Sequence, residues 1–116
     1  MYYVEGKISI VTGGAQGIGK GIVKRLLQAG CRVCLSDIDD SKGIEAKNEF
    51  QKEFGYGDDK VCFFKADVIS KEDWAMLWDF TEITLGGKVE ILINNAGLTP
   101  FVRSALKSSL SIHLHI

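Results

Sequence analysis

Four short apolar runs, KISIVT (7–12), CRVCLSD (31–37), VCFFKA (61–66) and VEILIN (89–94), recur along the chain and read as β-strands. The first, third and fourth are largely branched or aromatic, as strands buried on both faces of a parallel sheet are. Between the runs, apolar residues return at helical spacing. From Gly17 to Ala29 the residues Ile18, Ile22, Val23, Leu26 and Leu27 share one stripe, and Gly30 stands where a helix stop is expected. Residues 41–54 carry a weaker pattern, with Ser41 as the expected cap and Ile44, Phe50 and Phe54 as the buried side. Ser70 followed by Asp73 matches a capping box. Behind it Trp74, Leu77, Trp78, Thr81 and Leu85 follow at helical spacing, which makes both tryptophans core residues, until Gly86 and Gly87 end the helix. Alternating strand and helix, joined by right-handed crossovers, predicts an α/β fold around a parallel sheet.

The pattern fails after Gly97. LTPFVRSALKSSLSIHLHI holds the only proline and a serine-rich run, and neither a further strand nor a capped helix is predicted there. The expected organisation is one unit over residues 1–98 and a divergent tail over 99–116.

At 116 residues the chain makes one domain at most. Its 14 basic and 15 acidic residues form no basic stripe, which argues against nucleic acid or an anionic membrane as partner. Glu5 and Lys7 interrupt the first apolar stretch, and no run approaches the length of a bilayer span, so a cytoplasmic protein is expected. Cys31, Cys34 and Cys62 are an odd count, which makes a disulfide framework improbable. Cys31 and Cys34 spell C-x-x-C, but residues three apart on a strand face opposite ways, so no shared metal is expected.

The stretch TGGAQGIG (12–19) lies between the first strand and the first helix. A glycine-rich turn there gathers unpaired backbone N–H groups at the positive end of a helix dipole, which suits a phosphate. Gly13 permits the tight turn, Gly17 lets a pyrophosphate approach the backbone, and Gly19 lets the helix pack close to the sheet. Asp37 ends the second strand eighteen residues beyond Gly19. A carboxylate at that place can accept from both hydroxyls of an adenosine ribose and repels a 2′-phosphate. No arginine follows it closely and Gln16 in the turn is uncharged, so NAD is expected rather than NADP. Asp37 also reads as an ordinary turn carboxylate, beside Asp39 and Asp40. Asp67 is placed to reach the adenine or to cap the loop DVISK, and the amides of NNAG (94–97) serve either loop backbone or cofactor.

TGGAQGIG, Asp37, ADV and NNAG, in this order and at these spacings, resemble the classical short-chain dehydrogenase/reductase family, with its T-G-x-x-x-G-x-G and N-N-A-G motifs. The resemblance covers residues 4 to about 98. TGGAQGIGKGI, EFQKEFG and LGGKVEILINNAG, with Leu85 in place of Phe, are most similar to the NAD-dependent 15-hydroxyprostaglandin dehydrogenase group. The resemblance implies a Rossmann-like doubly wound sheet in the order 3-2-1-4, truncated after the fourth strand. It implies that Gly13, Gln16, Gly17, Ile18 and Gly19 form the pyrophosphate turn, that Asp37 and Ile38 hold the adenosine ribose, that Asp67 and Val68 flank the adenine, and that Asn95 lies against the cofactor.

Family members oxidise a secondary alcohol by passing hydride to the nicotinamide, while a tyrosine with a lysine four residues on takes the proton; a serine and an asparagine assist. A phenolate near neutral pH needs such a cation. The tyrosines here are Tyr2, Tyr3 and Tyr56, and only Tyr56 has a lysine, Lys60, four residues later. That pair falls in the polar loop GYGDDK, away from the expected nicotinamide, so no catalytic residue is assigned. LSIHLHI faintly echoes the family helix that bears the asparagine, with His113 at its place, although a frayed terminal histidine explains it better. The expectation is the amino-terminal half of an NAD-dependent alcohol dehydrogenase, inactive by itself. The alternatives are an NAD-binding module and an interaction protein that pairs through an exposed fourth strand.

Overall fold

The computed structural model describes residues 4–96 and the backbone of 112–115. Eight elements follow one another: β1 (Ile8–Thr12), α1 (Gly17–Gln28), β2 (Arg32–Asp37), α2 (Asp40–Phe54), β3 (Val61–Lys65), α3 (Lys71–Leu85), β4 (Val89–Asn94) and β5 (Ile112–His115). The strands form one sheet in the order β3-β2-β1-β4-β5, and every neighbouring pair is parallel.

The expected order 3-2-1-4 is present, with a strand added. β5 pairs with β4 from Ile91↔Ile112 to Asn94↔His115. Two expectations are thereby corrected. The tail does contain a strand, and β4 is an interior strand whose backbone groups are engaged on both sides, so it offers no free edge to a partner chain. His113 lies on β5 in register with Leu92 rather than on a helix. Gly97, the serine-rich run, Tyr2 and Tyr3 lie outside the described residues.

Successive strand residues face opposite ways, so the inner strands of a sheet covered on both sides are buried at successive positions and are largely apolar. All five residues of β1 are buried. On one face Val11, Val33, Leu35, Val61, Ile91 and Ile93 pack with Val23 and Leu27 of α1 and Ala46 and Phe50 of α2. On the other, Ile8, Ile10, Cys34, Cys62 and Leu92 pack with Trp74, Leu77 and Leu85 of α3. Cys31 belongs to the first of these cores and Cys34 to the second. Among the described residues no helix is long and apolar enough to cross a membrane.

α2 departs from its expected reading at two points. Its cap is Asp39, whose Oδ1 accepts from the N–H of Lys42, while Ser41 stands inside the first turn. Ile44 is exposed, and Gly43 and Ala46 share the inner side with Phe50. The reason is proximity, because a Cβ on Gly43 would run into the ring of Phe63 on β3. The donated bonds from the Lys42 N–H and the Ser41 hydroxyl hold the Asp39 carboxyl below its ordinary pKa. Its contribution to stability is therefore present above the unfolded-state pKa and is lost as pH falls through the folded-state value. α3 carries the expected Ser70 cap, with the Asp73 N–H donating to Ser70 Oγ at 3.1 Å.

Candidate functional site

In a parallel sheet every strand delivers its following loop to the same, carboxyl edge. Here the turn after β1, the ends of β2 and β3 and residues 95–96 after β4 converge there.

The glycine turn has the geometry its residues suggest. Gly13 and Gly17 have φ of +64° and +59°, the left-handed region that glycine enters without penalty. A Cβ on Gly19 would fall on the Gly13 carbonyl oxygen and 2.6 Å from Asn95 Nδ2, so the first turn of α1 rests directly against the loop. At Gly17 the space is open. α1 also starts without a side-chain cap or an acidic residue in its first turn, whereas Asp39 and Ser70 cap α2 and α3. The amino end of α1 thus keeps its N–H groups and positive dipole end facing outward. Ile18, expected in the helix stripe and in the turn, is 68% exposed at this mouth.

Asp37 joins the glycine turn to the end of β2. Its Oδ2 accepts from the Ala15 N–H at 3.2 Å and its Oδ1 from the Asp39 N–H at 3.1 Å. The Gly14 N–H donates to the Ser36 carbonyl at 3.0 Å, and the Ala66 N–H, after β3, to the Asp37 carbonyl at 3.1 Å. Ile38, the next residue, is 62% exposed. Gln16 reaches across to α2, where its Oε1 accepts from Lys42 Nζ at 2.9 Å.

Asp67 closes its own loop. Its Oδ1 accepts from the Ile69 N–H at 3.1 Å, and its N–H donates to Asp73 Oδ2 at 2.7 Å. The Val68 carbonyl accepts from Trp74 Nε1 at 2.6 Å. The amide ending β4 and the one after it both meet the carboxyl end of β1 and its turn. Asn95 Nδ2 donates to the Gly13 carbonyl at 3.1 Å, and Asn94 Oδ1 accepts from Thr12 Oγ1 at 2.9 Å.

Thr12 and Lys42 carry no assigned role in the sequence reading, yet both tie this edge together. Thr12 Oγ1, fully buried, donates to Asn94 and accepts from the N–H groups of Asn95 at 3.0 Å and Ala96 at 3.2 Å. A polar residue at the carboxyl end of a wholly buried strand is the one signal that could have marked it. Replacing Thr12 by Val keeps the shape but leaves the buried Asn94 Oδ1 and the part-buried N–H groups of Asn95 and Ala96 without this partner. A loss of about 2–3 kcal/mol is expected by urea denaturation, whereas Thr12→Ser, which keeps the hydroxyl, should cost well under half of that. Equal effects would contradict the role of the hydroxyl.

Tyr56 lies at the opposite, amino edge before β3, stacked on Phe54 with ring centroids 5.5 Å apart. The glycine turn, Asp37 and Asn95 are brought together; Asp67 and Val68 occupy the neighbouring loop; Tyr56 with Lys60 is remote.

The short chain dehydrogenase family model matches residues 7–112. Zerumbone synthase of Zingiber zerumbet is 36% identical over 96 residues, which are 83% of this chain and 34% of that protein. The 3-beta-hydroxysteroid dehydrogenase of Comamonas testosteroni is 36% identical over 95 residues, 82% of this chain and 34% of that protein. Among solved structures, 7α-hydroxysteroid dehydrogenase complexed with NADH and 7-oxo glycochenodeoxycholic acid superposes with a TM-score of 0.73 at 36% identity, covering 82% of this chain and 35% of that one. The menthone neomenthol reductase of Mentha piperita gives a TM-score of 0.69 at 36% identity over 80% of this chain and 32% of that one. The chain spans about a third of the length of these relatives. The family match runs unbroken from β1 through β4 with all three helices between them, and by that match this chain belongs to the short chain dehydrogenase family.

Proposed function

We propose that this chain forms the cofactor-holding half of an NAD-dependent oxidoreductase that oxidises a secondary alcohol. The observation that carries the reading is Asp37, fixed between the N–H groups of Ala15 and Asp39 beside a left-handed glycine turn. An ionised carboxylate has about four acceptor positions, so two remain for the two hydroxyls of an adenosine ribose. The residues fit NAD in three further ways: α1 begins uncapped, open space lies over Gly17, and Ile38 offers an exposed apolar surface next to the carboxylate.

In this reading the N–H groups of residues 17–19 receive the pyrophosphate. Asp37 binds the ribose, Asp67 and Val68 border the adenine, and Asn95, anchored on Gly13, lies along the remainder. NAD supplies the hydride acceptor. The NADH named with the 36% identical hydroxysteroid dehydrogenase structure supports this choice. The similarity of TGGAQGIGKGI, EFQKEFG and LGGKVEILINNAG to the 15-hydroxyprostaglandin dehydrogenase group favours an alcohol on a lipid-like skeleton as substrate. Three cysteines buried as free thiols suit the reducing cytoplasm.

The 116 residues contain no tyrosine at the carboxyl edge among those described, Tyr56 being at the other end of the sheet. The isolated chain should therefore bind NAD without oxidising alcohols. A thermal melt with NAD at a hundred times its dissociation constant should show the stabilisation of about 2.7 kcal/mol that mass action requires. Mixtures with secondary alcohols should form no NADH above buffer. An unmoved melt would refute the cofactor reading, and NADH formation would refute the inactivity of the isolated chain.

A further inference from the structure

Two of the three free thiols are neighbours. Cys34 on β2 stands in register with Cys62 on β3, and both belong to the core that packs against α3. In-register residues of adjacent parallel strands share a face and lie about 4.8 Å apart at their Cα atoms, inside the range of about 4.4–6.8 Å that a disulfide spans. The Cys62 thiol is hydrogen-bonded to Cys34, whose own S–H donates to the Leu35 carbonyl at 3.8 Å. Cys31 belongs to the core on the opposite side of the sheet, where its thiol donates to the Val4 carbonyl at 3.4 Å.

The surroundings select the chemistry open to the pair. Ile10, Ala66, Trp74, Leu77 and Leu92 share their core, and a charged dithiolate is costly in such a place. Among the described residues no group of three His, Cys, Asp or Glu is placed to hold a metal ion. A disulfide is neutral, as two thiols are. In the closed sheet Cys34 and Cys62 are 0% and 2% exposed, and the hydrogen bond to Cys34 together with burial holds the Cys62 thiol far above its ordinary pKa. Reaction there waits on opening. β3 is an outer strand of five residues, paired with another strand on one side only, so it opens at less cost than the whole domain.

We propose that Cys34 and Cys62 form an oxidative modification site, at which a peroxide turns the two thiols into a disulfide that latches the outer strand β3 to β2. Opening of β3 exposes Cys62, whose thiolate attacks one peroxide oxygen. The O–O bond breaks, and a sulfenic acid forms with release of water. The Cys34 sulfur then attacks the Cys62 sulfur, the S–OH bond breaks, and a second water leaves with the Cys34 proton. Two thiols are oxidised and one hydrogen peroxide is reduced, giving one disulfide and two waters. Parallel in-register positions set the Cβ atoms near the strand spacing, wider than the roughly 3.8 Å of a relaxed disulfide, so the bridge is strained and readily reduced. The inference stands apart from the cofactor reading.

The test treats the purified chain with hydrogen peroxide in the absence of urea and follows free thiols, intact mass and peptide maps. Thiols should fall from three to one, and the mass should drop by two hydrogens. The map should show Cys34 joined to Cys62 with Cys31 free, and dithiothreitol should restore all three thiols. Hydrogen exchange over residues 61–65 should be at least about tenfold slower in the oxidised chain, because the opening it requires is tied. Cys31→Ala should bridge as wild type does, and Cys62→Ala should form no bridge.

A bridge through Cys31 or between chains would overturn the inference, as would oxygen added to Cys62 without a bridge. So would thiols untouched at peroxide concentrations that oxidise the urea-unfolded chain, a bridge that forms only in urea strong enough to unfold it, or unchanged exchange over β3. Each of these is read on wild type, so the outcome stands whether or not either variant folds.

Discussion

Gly19→Ala should abolish measurable NAD binding and lower stability by about 1–3 kcal/mol, the usual range for forcing a methyl group into a filled space. The added Cβ has nowhere to go, since it would meet the Gly13 carbonyl oxygen, the Gly13 carbonyl carbon at 2.8 Å and Asn95 Nδ2 at 2.6 Å. Two of those atoms are backbone, and the third is held by its own hydrogen bond to Gly13. Relief requires α1 to move away from the turn, which separates the N–H groups on the two sides of the phosphate position. Gly21, two residues on in the same helix, provides the control. Nothing lies within 4 Å of its Cβ position, so Gly21→Ala should stabilise by up to about 1 kcal/mol through helix propensity and leave binding unchanged. Equal behaviour of the two alanine variants in urea denaturation and NAD titration would refute the close-contact argument.

Asp37→Ala should weaken NAD binding by about tenfold to a hundredfold, the worth of one or two charge-assisted hydrogen bonds. It removes the acceptor for the ribose hydroxyls and also the acceptor for the Ala15 and Asp39 N–H groups. A stability loss of about 1–3 kcal/mol accompanies it if those N–H groups find no substitute. The two effects separate in a titration against ADP-ribose and inorganic pyrophosphate. Binding of the ribose-bearing ligand should fall much further than binding of pyrophosphate, which the turn alone receives. Parallel losses would mean that Asp37 only shapes the turn.

Much of this edge is legible in sequence because its demands are local. Gly13 and Gly17 need left-handed backbone, and Gly19 needs the absence of a side chain, so the residues announce the turn themselves. Trp74, Leu77, Thr81 and Leu85 likewise follow one helix face, and Ser70 caps it. Where capping residues crowd together, as in Asp39, Asp40 and Ser41, several starts are compatible and packing decides. Ile44 loses its expected place to Gly43 because α2 approaches Phe63 too closely for a side chain.

The features that escape sequence reading are those made by distant partners. Thr12 acquires its role from Asn94, Asn95 and Ala96, residues brought beside it only by sheet pairing. Lys42 meets Gln16 across the gap between two helices. β5 is four residues long and follows a serine-rich run, although Ile112 and Leu114 alternating with His113 and His115 carry the period of a strand. Its pairing with β4 also changes the account of the edge. The outer strands of the sheet are β3 and β5.

The central claim, that the glycine turn and Asp37 hold an NAD molecule, is tested most directly by calorimetric titration of the purified 116-residue chain with NAD and, in parallel, with NADP. The account predicts saturable one-to-one binding of NAD and at least tenfold weaker binding of NADP, the discrimination expected from one carboxylate facing a 2′-phosphate. A cooperatively unfolding chain that binds neither, or binds both equally, would contradict it.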